Sequence, residues 1–136
     1  MIVADTGAII ALVDAGDRHH RALRPLYESD PAAWVLPWAI LPEVDYLLGR
    51  HVSDRARRLF LDDLASGAFP VEWGEPADLE RAAELDRKHA KLGLGLVDAV
   101  VMAVAERLEA DAIATLDLRH FGAVNLITRP KLVPRD

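Results

Sequence analysis

The chain has 136 residues, a formal net charge of -6, 51% hydrophobic and 28% charged residues, and no cysteine. Such a length and balance suit a single globular domain over residues 1–136 and exclude a disordered or fibrous chain. The lack of thiols excludes disulfides, thiolate zinc sites and a cysteine nucleophile and suits a reducing cytoplasm, while the acidic balance argues against broad nucleic-acid binding but leaves room for a local basic patch.

"MIVA" reads as a short buried strand without the basic n-region of a secretory signal, and "TGAIIALVDA" reads as the first helix. "DRHHRALRPLYES" reads as a second helix, with Asp17 as its cap and Pro25 as a kink. "AWVLP" is a second strand, followed by the helix "AILPEVDYLLGR", which the pattern ends near Gly49. "SDRARRLFLDDLASG" is a helix between a Ser/Asp cap and Gly67, and "FPVEW" is a third strand. Pro76 opens the helix "PADLERAAELDRKHAKLG", which stops at Gly93. In the next segment Val97, Val100, Val101, Val104, Ala105 and Leu108 follow helical core spacing. Ala99, Met102 and Ala103 fill the other side, so this helix is buried nearly all the way round. The strand "DAIATL" and a last strand near "VNLIT" follow, and "RPKLVPRD" reads as a surface tail. Pro37, Pro42 or Asp98 interrupts the most apolar stretches before they reach the roughly 20 residues of a membrane helix. Short apolar strands alternating with helices specify an α/β fold with a mostly parallel sheet covered by helices on both faces.

Ligands of open α/β sheets bind beyond the carboxyl ends of the strands. Asp5 follows "MIVA", Asp117 follows "AIATL", Glu43 lies in the first turn after strand two, and Asp98 heads the buried helix. All four junctions fall at one sheet edge in a parallel sheet. Each acid also has a plain structural role available. Asp5 or Asp98 can cap a helix, Glu43 can complement a helix N-terminus, and Asp117 can serve the turn "LDLRH". Clustered carboxylates need a cation, and hard oxygen donors without cysteine favour Mg²⁺ or Mn²⁺ over zinc. A divalent cation held that way suits phosphodiester hydrolysis, with a spare carboxylate to orient or deprotonate water.

The ordered segments "IVADTGAIIALVD", "PWAILPEVDYLL", "GLVDAVVMAVAERL" and "AIATLDLRHFGAV" resemble the PIN-domain family, and within it the VapC toxins of bacterial toxin–antitoxin pairs. The resemblance covers nearly the whole chain. It implies a PIN-like three-layer fold, with a central parallel sheet of about five strands and helices on both faces. It also implies a Mg²⁺- or Mn²⁺-dependent endoribonuclease site, an RNA substrate, a homodimer and inhibition by a small VapB-type antitoxin. The family's acidic positions match Asp5, Glu43, Asp98 and Asp117, and its hydroxyl positions match Thr6 and Thr115. Asp5 and Asp98 are the expected main metal ligands, Glu43 is expected to act on water, and Asp117 ranks last because it sits in a turn.

Two other readings stand beside this one. A PIN-like module could bind RNA or protein without cleaving, although all four acids are present. A phosphoacceptor receiver domain has a similar size and an acidic pocket, but it wants an acidic pair after strand one, and Asp5 stands without an acidic neighbour. His19 and His20 adjoin Asp17, yet neighbouring helical residues point apart, so they read as a solvated face. Arg55, Arg57 and Arg58, like Arg87, Lys88 and Lys91, read first as solvated helix faces and second as phosphate contacts. Trp34, Trp38 and Trp73 flank strands and read as core or dimer contacts.

Overall fold

The computed structural model describes residues 1–135. The strands β1 (Ile2–Ala4), β2 (Trp34–Pro37), β3 (Val71–Glu72), β4 (Ala112–Ala114) and β5 (Lys131–Val133) form one sheet in the order β3-β2-β1-β4-β5. Every neighbouring pair is parallel, with Ile2 opposite both Trp34 and Ala112, and Ala112 opposite Lys131. The helices are α1 (Thr6–Val13), α2 (His20–Ser29), α3 (Leu41–His51), α4 (Asp54–Ser66), α5 (Pro76–Lys88), α6 (Gly95–Arg107) and the one-turn α7 (Leu118–Phe121). This is the expected α/β arrangement, and its strand order differs from the 2-1-3-4-5 order of receiver-type folds.

Local chemistry sets the boundaries. Ser53 accepts a hydrogen bond from the Ala56 N–H at the start of α4, and Gly67, at φ 80°, closes it in the left-handed region. Glu75 and Asp78 form a reciprocal capping box around Pro76, which opens α5. The core runs through α6, whose residues Ala99 to Ala105 are all buried in one cluster with Val3, Ile9, Leu36 and Ile113. Burying side chains on every face of α6 makes it the central post of the domain. Its C-terminal end is tied down by charge: Arg107 donates to Asp78 of α5 at 2.8 Å and to Glu72 of β3 at 2.7 Å. Arg81 of α5 donates in turn to Glu106 at 2.7 Å.

Several expected boundaries shift. The last strand is not "VNLIT" but Lys131–Val133, within the segment read as a tail, because only that stretch lies in register beside β4. Val124 and Leu126 are apolar because they plug the core from a loop. The helix expected to end near Gly49 continues to His51. Asp17 does not cap α2. His19 holds that position, and the Asp17 carboxylate instead accepts from the His19 N–H inside the preceding turn. Trp34 is buried in the core and Trp38 is partly buried, whereas Trp73 is 74% exposed beside a groove lined by Leu41, Phe60 and Leu64.

Candidate active site

The strand order reverses between β1 and β4, which is where an open α/β sheet leaves a crevice. Asp5 and Thr115 are the residues that leave those two strands. The Asp5 N–H donates to the Ala114 carbonyl at 2.8 Å, which carries the ladder one step past the strand and locks Asp5 at the sheet edge. One Asp5 oxygen accepts from the Thr6 N–H at 2.8 Å, so Asp5 is the N-cap of α1. The other oxygen accepts from the Thr115 hydroxyl at 2.9 Å. That same hydroxyl oxygen accepts from the Asp117 N–H at 3.0 Å, so Thr115 joins two of the expected acids. The Thr6 hydroxyl is buried and finds no hydrogen-bond partner in the protein.

An open cleft of about 500 Å³ holds Asp5, Thr6, Glu43, Asp98 and Asp117, with Leu47 and Leu116 among its apolar lining. The four expected acids therefore do converge. Glu43 rises from the first turn of α3 and is exposed, whereas Asp5 is 5% exposed. Asp98 is not the helix cap that one reading allowed. Leu94 occupies the cap position with helical backbone and no side-chain bond, and Asp98 is the fourth residue of α6, in its first turn. Asp117 is the cap of α7, accepting from the His120 N–H at 3.0 Å.

Electrostatics in the cleft are frustrated. Burial, and next the neighbouring Asp98 charge, push the Asp5 carboxyl up to about 6 despite its bonds to Thr6 and Thr115. Burial also raises Asp98 above the usual carboxylate range, with Asp117 and Glu43 adding to the effect and His120 opposing it. His120 was not singled out in the sequence. Its Nδ1 lies 2.5 Å from an Asp98 oxygen and 3.2 Å from an Asp117 oxygen. The bond to Asp98 is the main reason its imidazole titrates above the ordinary histidine range. The signal that could have revealed it is its i+3 position after Asp117, which means little until α7 is seen to be helical. Among the described residues, Asp98, Asp117 and His120 are the group whose donor atoms all lie within 4.8 Å of one another.

The other sequence candidates stay apart from this site. His20 Nδ1 meets the Ala11 carbonyl at 2.9 Å, and His19 Nε2 accepts from Arg18 at 3.1 Å. Arg55, Arg58, Arg87, Lys88 and Lys91 are exposed, and Arg57 pairs with Asp45 at 3.5 Å.

The PIN domain family model matches residues 2–125. Ribonuclease VapC26 of Mycobacterium tuberculosis (strain ATCC 25618 / H37Rv) is 32% identical over 126 residues, covering 93% of both chains. The crystal structure of Mycobacterium tuberculosis VapC20, a sarcin–ricin loop cleaving toxin, superposes with a TM-score of 0.79 at 26% identity, over 96% of this chain and 100% of that one. VapBC2 from Rickettsia felis, solved with a DNA fragment from its promoter, shares the fold over 100% of both chains, with a TM-score of 0.72 at 15% identity.

Proposed function

The chain belongs to the PIN-domain family, and on that premise we propose that it is a VapC-type endoribonuclease, the toxin of a toxin–antitoxin pair, which hydrolyses RNA phosphodiester bonds. The observation that carries the reading is the meeting of Asp5, Glu43, Asp98 and Asp117 in one cleft at the β1–β4 crevice of a chain 32% identical to a ribonuclease. Its partners are an RNA substrate and a small VapB-type antitoxin, and it acts as a homodimer in the cytoplasm. Among the described residues no helix is long and apolar enough to cross a membrane.

The donor set fits a divalent cation. Asp5 is driven toward neutrality by burial and by Asp98, as expected of carboxylates assembled for a positive charge, and His120 at 2.5 Å from Asp98 answers part of that need. The Thr6 hydroxyl adds an oxygen donor with no other partner. When bound, Mg²⁺ or Mn²⁺ supplies Lewis-acid stabilisation of the charge that develops on the phosphate oxygens. Asp5 and Asp98 would hold the ion from rigid platforms, a strand end and a buried helix. Thr115 orients Asp5 and fixes the turn that carries Asp117. Glu43, exposed in the same cleft, would orient and deprotonate the attacking water.

The test is RNA cleavage by the purified chain freed of antitoxin. Cleavage should require Mg²⁺ or Mn²⁺ and stop in EDTA, and Asp98→Asn should abolish it while the fold is retained. Cleavage that persists unchanged in EDTA would overturn the metal-dependent mechanism.

A further inference from the structure

His120 gives the cleft a nitrogen donor that a four-carboxylate site lacks. We propose that Asp117 and His120 join Asp98 in holding the cation of the cleft that also presents Asp5, so that its ligands mix oxygen and nitrogen and select Mn²⁺ or a comparable transition metal over Mg²⁺. The inference rests on the reading of the cleft as a cation-dependent nuclease site and deepens it by naming the metal class.

Geometry supports the assignment first. The donor atoms of the three side chains lie within 4.8 Å of one another. Ligands on opposite sides of an ion bound at about 2.1 Å stand roughly 4.2 Å apart, so small side-chain movements bring all three onto one ion. His120 Nδ1 already points between the two carboxylates, at 2.5 Å from Asp98 and 3.2 Å from Asp117. The ring bridges the two acids, as a cation would.

Mg²⁺ and Mn²⁺ both favour carboxylate, carbonyl and water oxygens, but Mn²⁺ begins the first-row series whose later members, Fe²⁺, Ni²⁺, Cu²⁺ and Zn²⁺, suit imidazole nitrogen. Replacing one oxygen donor by nitrogen therefore moves the preference toward Mn²⁺.

The experiment uses the full chain without an affinity tag, in wild-type, His120→Gln and Asp117→Asn forms. Pulsed EPR of bound Mn²⁺ reads nitrogen coupling directly, and calorimetry gives the Mn²⁺ and Mg²⁺ affinities. Wild type should show imidazole nitrogen coupling that is absent in His120→Gln, a variant that keeps the other four histidines as an internal control. Mn²⁺ affinity should fall at least about tenfold in His120→Gln, and Mg²⁺ affinity much less. Asp117→Asn, which leaves the ring in place, should also weaken Mn²⁺ binding and keeps the test informative if His120→Gln fails to fold. Bound Mn²⁺ without nitrogen coupling, or an unchanged Mn²⁺ affinity in His120→Gln, overturns the proposal. The two readings fail separately. RNA cleavage with Mg²⁺ and no nitrogen coupling would sink the mixed site and keep the nuclease, while nitrogen coupling without RNA cleavage would do the reverse.

Discussion

Asp5→Asn isolates the cost of assembling the cleft. The carboxyl is 5% exposed and raised from 3.8 to about 6, chiefly by burial and next by Asp98. A carboxyl with a raised folded-state value binds its proton more tightly in the native than in the unfolded chain. Its contribution is therefore fully present below about 3.8 and is lost as the pH rises through about 6. At pH 7.5 the deprotonated Asp5 costs the metal-free fold about 3 kcal/mol, and at pH 5 roughly half of that. Asparagine keeps the shape and caps α1 about as well, accepting from Thr6 through its side-chain oxygen. Metal-free Asp5→Asn should accordingly be more stable than wild type by up to about 3 kcal/mol at pH 7.5, or roughly 10 °C in Tm. The advantage should shrink at pH 5 and vanish below about pH 4.

Thermal unfolding of both proteins in EDTA at those pH values, repeated with excess Mn²⁺, is the assay. Mn²⁺ should stabilise wild type by binding its folded state, and it should do so far less in the variant. RNA cleavage should be lost in the variant that is more stable. If Asp5→Asn is less stable than wild type at pH 7.5 in EDTA, the bonds from Thr6 and Thr115 outweigh the burial and repulsion, and Asp5 is a structural anchor rather than a strained ligand.

Thr115→Val preserves shape but removes the hydroxyl between Asp5 and Asp117, two bonds of 2.9 and 3.0 Å in a residue 1% exposed. It should cost about 1–3 kcal/mol in urea unfolding and weaken Mn²⁺ binding, and a cost below 0.5 kcal/mol would show that water replaces the hydroxyl. Arg107→Leu strands Asp78, which is 3% exposed, without its cation, so denaturant unfolding should show a loss of about 3 kcal/mol. The double variant Arg107→Leu, Asp78→Asn removes the stranded charge but keeps an acceptor for the Glu75 N–H, so it should recover most of that loss, and RNA cleavage well below the unfolding temperature should match wild type in both.

What could be read from sequence, and what could not, follows from the reach of each signal. Asp5 and Asp117 were legible as edge residues because Asp5 directly follows one short apolar strand and Asp117 closes the apolar run of another, three residues past Ala114, and a parallel sheet sends all such ends to one side. The buried helix was legible from α6's own periodicity, which needs no partner to be seen. The strand Lys131–Val133 was not, because nothing local distinguishes it. Lys131 is exposed and Pro130 precedes it, and only its register beside Ala112–Ala114 makes it a strand. "VNLIT" misled because burial of Val124 and Leu126 gives an apolar run whether or not a ladder forms.

The same distinction separates the two readings of Asp98. A cap and a site carboxylate look alike in a linear pattern, and only the location of Leu94 at the helix start shows that the backbone N–H groups ahead of Asp98 are not its partners. Freed from capping, Asp98 can give its oxygens to the cleft, and His120 takes one of them. His120 escaped notice because one turn of helix is too short to produce a period, so "LDLRH" reads as a plain turn. The hardest feature to read is thus the one that changes the chemistry. Four acids meet in one cleft, and a histidine brought in by a single helical turn sets a ring nitrogen against two of them.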